Sequence, residues 1–331
     1  MVDFKKIELF DENGRSRGYY DISNQINDLT GKEWIFSTKS VIPKSFPSSF
    51  QHKLRNKHGG QKPPELCEMI IRTFTKEGAI VLDPFCGVGG TLLGCHLSQR
   101  KGIGIEINKN WVEIYKRVCQ LENIRPEKMI NGDSKRILQQ MLKKDKSQVD
   151  LVLTDVPYWK MDEVEKSKGR YKKVGKPAGD IFSEKSKLSR FNHEKSGSET
   201  EKEEWEALME DVFNKCYDLL KPGCYCAVFI GNMYHGGHYY LLNADIVQIL
   251  SKIGFVLKGE IIWYDVSKNL HLYGINYSWI PSLVHQFIMI FRKEREKKLT
   301  REEIEEIREY NLERVEKISK EQLKKGIDRF I

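Results

Sequence analysis

Four carboxylates in this chain each close a short apolar run: Asp83 after Ala79-Ile-Val-Leu, Glu106 after Gly102-Ile-Gly-Ile, Asp133 after Met129-Ile-Asn-Gly, and Asp155 after Leu151-Val-Leu-Thr. A glycine-rich turn, Pro84-Phe-Cys-Gly-Val-Gly-Gly-Thr91, follows the first of them. Gly87, Gly89 and Gly90 let the backbone approach a ligand closely, and a turn of this kind lies at the carboxyl edge of a sheet, where α/β folds bind ligands. Dinucleotide enzymes and plain tight turns share the pattern. Glu106 stands seventeen residues beyond Gly89 at the end of the next run, where a carboxylate can accept hydrogen bonds from both hydroxyls of a ribose. Asp155 opens Asp-Val-Pro-Tyr-Trp159, which sets an acid, a rigid proline and two aromatic rings at one strand end. Asp and Pro end many strands for structural reasons alone. Four successive runs that each present an acid at one rim are a much rarer coincidence than any single one.

The elements that must hold these residues are legible as alternating strands and helices. Lys62 to Lys76 starts with prolines and carries Leu66, Met69, Ile70 and Phe74 at helical spacing. Strands are expected at 79–83, 102–107, 129–133, 149–155 and 225–231, with helices at 91–99, 111–123, 203–220 and 243–253 between and after them. Two last strands, 260–264 and 286–292, follow one another without a helix. The alternation predicts a mostly parallel sheet of seven strands, Rossmann-like, with helices on both faces and an antiparallel strand at the edge. Residues 1–60 read as an N-terminal basic-aromatic extension, 61–295 as the α/β domain, and 296–331 as a charged C-terminal helix opened by the capping box Thr300-Arg-Glu-Glu303. Within the domain, 160–200 is expected to be a mobile loop. Its stretch Lys160 to Ser196 carries eleven Lys/Arg against six Asp/Glu and few apolar residues.

The formal net charge of +8 is modest, but its placement is informative. From Trp34 to Pro64 there are six Lys/Arg and no Asp or Glu, interleaved with Trp34, Phe36, Phe46, Phe50, His52 and His58. Such a mixture suits a phosphate backbone and unstacked bases, or else an extension whose aromatics pack on the core. The charges of the C-terminal helix nearly balance, which suits a solvated helix or a contact with a second copy or a partner subunit better than a DNA clamp. No apolar run reaches the roughly 18 residues that span a bilayer, so no membrane association is expected. The N-terminus lacks a signal-peptide core. The seven cysteines form no CxxC pair and read as reduced thiols of a cytoplasmic protein. No His/Cys cluster has zinc-ligand spacing, so no metal centre is expected.

Together, DPFCGVGGT, GIGIEIN, NGDS and DVPYW resemble motifs I to IV of the S-adenosylmethionine-dependent amino-methyltransferases, in particular the DNA N6-adenine and N4-cytosine group. Lys62-Pro-Pro resembles that family's motif X, and GFVLKGEIIWY and HQFIMIFRK are similar to its last strands. The resemblance covers roughly residues 58 to 293. It implies S-adenosylmethionine as cofactor and double-stranded DNA as partner. It also implies a methionine site bordered by Asp83, Phe85, Gly87, Gly89 and Thr91, a ribose site at Glu106, an adenine site at Asp133 and Ser134, and a further cofactor contact at Lys62.

Asp155, Val156, Pro157 and Tyr158 would form the catalytic motif, with Val156 where the family pattern has a first proline. That position contributes its backbone carbonyl, which valine supplies equally. An exocyclic base amine is a poor nucleophile, because its lone pair is delocalised into the ring. Acceptors at the Asp155 carboxylate and the Val156 carbonyl would favour pyramidal nitrogen aimed at the sulfonium methyl. The base must leave the duplex and stack, which suits Tyr158 and Trp159. Lys53, Arg55, Lys57 and His58 of the basic stretch are further expected substrate contacts. An acid at 155 leans towards adenine N6 over cytosine N4. An RNA methyltransferase acting on guanine N2 or adenine N6 can use the same logic. A nicotinamide oxidoreductase would leave DVPYW and Asp133 without a role, and a non-catalytic DNA-binding subunit would not need Asp155 and Tyr158. With only short stretches between Asp133 and Asp155 and after Phe291, target recognition is expected from residues 34–64, 160–196, 232–240 or 269–279, or from a partner.

Overall fold

A computed structural model describes residues 6–11, 13–144, 148–159, 200–235, 237–270 and 279–327. Most of the loop expected at 160–200, and most of the aromatic loop 269–279, lie outside the described residues. The chain opens with a hairpin, β1 (Lys6–Phe10) and β2 (Ser16–Asp21), followed by a short helix α1 (Gly31–Ser37), β3 (Val41–Pro43) and one turn of helix α2 (His52–Arg55). The α/β core then runs α3 (Pro64–Phe74), β4 (Ile80–Asp83), α4 (Gly90–Ser98), β5 (Lys101–Glu106), α5 (Lys109–Leu121), β6 (Lys128–Asn131), α6 (Ser134–Lys144), β7 (Val149–Asp155), α7 (Thr200–Leu219) and β8 (Leu220–Ile230). A small hairpin, β9 (Met233–His235) and β10 (His238–Tyr240), leads into α8 (Leu242–Ile253), β11 (Val256–Tyr264) and β12 (His285–Arg292), and the chain closes with α9 (Arg301–Ile327).

The central sheet has the order β3-β11-β12-β8-β7-β4-β5-β6. Every neighbouring pair is parallel except those made by β12, which runs antiparallel to both β11 and β8. The antiparallel strand therefore lies at the expected end of the sheet, inserted between β8 and β11. The sheet has eight strands rather than seven, because β3 adds itself beside β11 through Val41, Ile42 and Pro43. This strand has three residues and ends in a proline, which an edge position tolerates. Its anchor is tertiary: Trp263 Nε1 donates to the Lys44 carbonyl at 2.9 Å.

Both faces of the sheet are covered, and the alternation of the strands shows how. Leu151 and Leu153 of β7, Ala227 and Phe229 of β8 and Val81 of β4 pack with Leu66, Ile70 and Ile71 of α3. Their neighbours Val152, Cys226, Val228 and Leu82 point the other way, onto Trp205, Phe213, Ile246 and Leu250 of α7 and α8. A strand buried on both faces reads as an unbroken apolar run, as LVLT and CAVFI do.

The two chain ends meet. Val315 of α9 packs with Leu9 and Tyr20 of the hairpin. Asn311, fully buried, donates to the carbonyls of Ile22 (2.7 Å) and Asn24 (3.0 Å) and accepts from Lys76 Nζ at 2.5 Å. Burial pushes the Lys76 ammonium down to about 8. Of the two readings of α9 offered above, solvated or subunit contact, neither covers this half of the helix: it docks on the chain's own N-terminal hairpin. The N-terminal stretch likewise holds regular elements, β1, β2, α1 and β3.

Candidate active site

Three parallel strands deliver a carboxylate to one rim: Asp83 ends β4, Glu106 ends β5 and Asp155 ends β7. The fourth acid departs from the expectation. β6 stops at Asn131, and Asp133 stands immediately before α6, where its Oδ1 accepts from the Lys135 amide at 2.9 Å. An acid so placed fits a helix N-terminus. The adjacent Ser134 is buried, and its hydroxyl donates to the Pro84 carbonyl.

The glycine turn between β4 and α4 is shaped by left-handed residues, Gly87 at φ +53° and Gly89 at φ +79°. Glu106 braces it. One carboxylate oxygen accepts from the Gly87 amide and the other from the Asn108 amide, each at 2.8 Å. Asp83 is buried beneath the turn and accepts from Thr154 Oγ1 at 2.6 Å and from the Phe85 amide at 3.0 Å, with the Thr91 hydroxyl as a further donor. Burial nevertheless dominates and pushes the Asp83 carboxyl up to about 6. The turn, the strand ends and α7 enclose a cavity of about 820 Å³. Among the expected site residues, Lys62, Asp83, Phe85, Gly87, Thr91, Glu106, Asp133, Ser134, Asp155 and Pro157 line it.

His58 lines the same cavity, on the glycine-turn side. A Cβ on Gly87 would sit 3.0 Å from its Nε2, and its ring meets Trp111 of α5 edge-on at 5.2 Å. The expected substrate contact is thus a wall of the cofactor-side cavity. Arg55 changes place more completely. Its side chain is 1% exposed and its guanidinium donates to the Lys62 carbonyl at 2.8 Å, so it supports the chain instead of offering charge to a ligand. Lys53 and Lys57 are exposed. Trp159, expected to stack on a base, is buried in the α7–α8 core with its ring 4.8 Å from that of Tyr240. Val156 is fully buried beside it.

At the catalytic strand end, Asp155 Oδ2 accepts from Lys62 Nζ at 2.6 Å. Among the described residues, the buried Oδ1 of Asp155 has no hydrogen-bond partner. Tyr158 lies over Gly231 at the end of β8, and its hydroxyl accepts from Gln286 Nε2 of β12 at 2.8 Å. Trp205 of α7, 1% exposed, donates its indole N–H to the Pro157 carbonyl at 2.6 Å. No local pattern of residue types announces these two braces, Gln286 and Trp205. Trp205 was visible only as an apolar residue of a helix. Glu204, Leu208 and Asp211 of α7 also line the cavity and were not anticipated.

A sheet in this order, parallel but for β12, with a glycine turn and an acid-ended second strand around one cavity, defines a Rossmann-like nucleotide-binding fold. Residues 8–117 and 149–329 match the N6/N4 methyltransferase family model, described as DNA methylase, and the chain belongs to that family. Residues 78–168 also match a model described as RNA cap guanine-N2 methyltransferase. The Type II methyltransferase M.HpaI of Haemophilus parainfluenzae is 46% identical over 125 residues, covering 31% of this chain and 40% of that one. M2.DpnII of Streptococcus pneumoniae, also a Type II methyltransferase, is 35% identical over 113 residues, 34% of this chain and 40% of that one. A tRNA (guanine(10)-N2)-dimethyltransferase of Methanocaldococcus jannaschii is 29% identical over 136 residues, 37% of this chain and 36% of that one. The chain spans about two fifths of the length of these relatives.

Family membership makes S-adenosylmethionine the cofactor, and the cavity has the chemistry to take it. Two buried carboxylates, Asp83 and Glu106, line it beside the glycine turn, suited to a ligand that carries hydroxyls and positive charge. Among the described residues, no helix is long and apolar enough to cross a membrane.

Proposed function

We propose that the chain transfers a methyl group from S-adenosylmethionine to the exocyclic amine of a flipped nucleic-acid base, with N6 of adenine in double-stranded DNA as the favoured target. The observation that carries this reading is the Asp155 carboxylate, set at the cavity with one oxygen bound by Lys62 and the other buried with no hydrogen-bond partner among the described residues. A buried acceptor without a donor is costly, and a base N–H is the kind of group that would satisfy it. The cofactor supplies an electrophilic methyl on a cationic sulfur. The chain's own contribution is to hold the amine by Asp155 and the adjacent Val156 carbonyl, to exclude water, and to offer the Tyr158 ring as a stacking surface. Exposed Lys53 and Lys57 would lie along the phosphates.

A second reading, transfer to guanine N2 in structured RNA, is supported by the RNA-methyltransferase match and the tRNA-modifying relative. The test is incorporation of tritiated methyl into duplex DNA, single-stranded DNA and tRNA, followed by digestion and identification of the modified nucleoside. N6-methyladenine in DNA is the expected product. Label found only as N2-methylguanine in RNA would select the second reading, and N4-methylcytosine would correct the base.

In this reading Glu106 holds the ribose. Glu106→Ala is expected to weaken cofactor binding by about 1.5–3 kcal/mol, the range for hydrogen bonds to a charged group. It should also loosen the turn, because the Gly87 and Asn108 amides lose their acceptor. Calorimetric titration of S-adenosylmethionine measures the change, and an unaltered affinity would refute the assignment.

Asp83 in turn makes cofactor binding pH-dependent. Its carboxyl lies at about 6 in the fold against an ordinary 3.8, raised chiefly by burial. A carboxyl raised in this way stabilises the fold fully below pH 3.8 and loses that contribution as the pH rises through about 6, because the ionised form is buried at a cost. A cationic ligand beside it favours the ionised form. Affinity for S-adenosylmethionine is therefore expected to rise about tenfold between pH 5 and pH 7.5 and then to level. A flat profile in Asp83→Asn, with the slope present in the parent, would assign the effect.

A further inference from the structure

Lys62 was placed by resemblance among the cofactor contacts, yet its ammonium is spent elsewhere. It lies 2.6 Å from Asp155 Oδ2, and both side chains are largely buried, at 7% and 15% exposure. Nothing in the local sequence joins them, since they stand 93 residues apart. Three constraints bring Lys62 there. The peptide is stiffened by Pro63 and Pro64, which begin α3. The Arg55 guanidinium, itself buried, holds the Lys62 carbonyl at 2.8 Å. Gly90 leaves the space for that carbonyl, because a Cβ there would come within 2.8 Å of it. The ammonium also stands over the Phe229 ring at 5.5 Å, which walls one side of its path to Asp155.

We infer that Lys62 is a positioning residue for the reaction: its ammonium pins one oxygen of Asp155 so that the other faces the reacting amine. The inference rests on the amine-transfer reading above. Physically, a carboxylate at the end of a strand can rotate about its Cβ–Cγ bond and share a donor between both oxygens. A short charge-assisted bond to a lysine that is fixed at its backbone removes that freedom. Other charged groups face this pair: Asp83 at the end of the adjacent β4, whose carboxyl feels Asp155, Lys268 between β11 and β12, which feels Lys62, and Glu204 and Asp211 on the α7 wall of the same cavity. Among the described charged groups, Lys62 is the one that forms an ion pair with Asp155. Arg55 acts one step further back, by fixing the lysine's backbone.

The experiment uses the full chain with Lys62→Met, Asp155→Asn and the double substitution. In thermal melts of the cofactor-free protein, each single change is expected to lower the midpoint, and the double change should lower it by at least about 3 °C less than their sum. In single-turnover assays at saturating cofactor and nucleic acid, Lys62→Met should slow methyl transfer by about 100-fold or more, while cofactor affinity by calorimetry stays within about threefold. Placed on the already slowed Asp155→Asn protein, Lys62→Met should change the rate by less than about twofold. Lys62→Arg provides the second variant should the methionine protein fail to fold. It keeps the charge and the melt, but its longer planar head displaces the carboxylate and should slow transfer at least about tenfold.

Additive melting shifts would overturn the inference. A weakened cofactor affinity with an unchanged saturating rate would overturn it as well and return Lys62 to cofactor binding, and a fully active Lys62→Arg protein would reduce the lysine to a structural charge. A parent protein that methylates neither DNA nor RNA would sink the amine-transfer reading alone, because the melts still decide whether Lys62 and Asp155 are coupled.

Discussion

Asp155→Ala is expected to lower methyl transfer by about a thousandfold or more while S-adenosylmethionine still binds. The carboxylate ends β7 with one oxygen held by Lys62 and the other buried with no hydrogen-bond partner among the described residues. The cofactor-side groups, the glycine turn with Asp83 and Glu106, make their own bonds to Thr154, Phe85, Gly87 and Asn108, and none of these runs through Asp155. Removal of the acid thus deletes an interaction that matters when the amine is pyramidal, and leaves the cofactor cradle intact. Turnover should fall far more than ground-state affinity. The substitution has a structural side as well, because Lys62 is left as a buried cation without its anion, a loss in the range of about 3–5 kcal/mol for broken buried pairs. Asp155→Asn separates the two effects: it keeps the shape and part of the hydrogen bonding but not the charge. The measurements are tritiated methyl incorporation, cofactor calorimetry and a thermal melt for each variant. An Asp155→Ala protein that methylates near the parent rate would show that DVPYW is only a strand running into a turn.

The second large effect is expected at Gly89, and here the damage begins in packing. A Cβ on this residue would lie 2.3 Å from Tyr115 Cδ2 and 2.8 Å from Cε2, well inside any allowed contact. The Tyr115 ring cannot simply step aside, since it is buried in the core with Leu92, Leu93 and Val118, and its hydroxyl accepts from the Glu127 amide at 2.9 Å. The backbone is the second obstacle: φ is +79° at Gly89, a left-handed conformation that alanine adopts at a cost. Overpacking and backbone strain together should destabilise Gly89→Ala by about 2–4 kcal/mol and tilt the start of α4, which lines the cofactor cavity. Loss of detectable S-adenosylmethionine binding is the expected consequence, read by calorimetry beside a urea melt. A variant with parent stability and affinity would mean that Tyr115 and the turn have more freedom than their contacts indicate. Gly14, in the loop between β1 and β2, supplies a control: it also has positive φ, at +75°, but a Cβ there meets nothing within 4 Å. Gly14→Ala should therefore show the backbone cost alone.

Much of this arrangement could be read from residue order. Apolar runs such as LVLT and CAVFI are buried on both faces, and a covered parallel sheet accommodates them, so the α/β class followed from the strands themselves. The glycines of the turn and the acids at the strand ends were equally plain, because their chemistry is local: Gly87 and Gly89 do adopt left-handed φ, and Asp83, Glu106 and Asp155 do close their strands. Asp133 lies two residues past the end of its strand, since the chain leaves β6 at Asn131 and the acid stands immediately before the next helix instead. That error is a matter of boundary, where a short strand and a helix start compete for the same few residues.

The tertiary structure alone decided which distant groups meet. Arg55 and His58 belong to a basic-aromatic stretch that reads as a surface for phosphates, yet one is buried under Lys62 and the other closes the cofactor cavity against Trp111. Trp159 looks like a stacking residue beside Tyr158 but is buried in the α7–α8 core, in a turn past the end of β7 that no local pattern of residue types announces. β3 is too short to announce itself, and α9 carries charges on every face apart from the few residues that dock on Leu9 and Tyr20. Lys62 and Asp155 show the division most clearly. The sequence by itself determined that an acid would stand at the end of β7 and that a lysine would precede two prolines. Their pairing depends on how α3 packs on the sheet and where Arg55 and Gly90 fix a single carbonyl, and such contacts are set by burial in three dimensions, which no local pattern of residue types encodes.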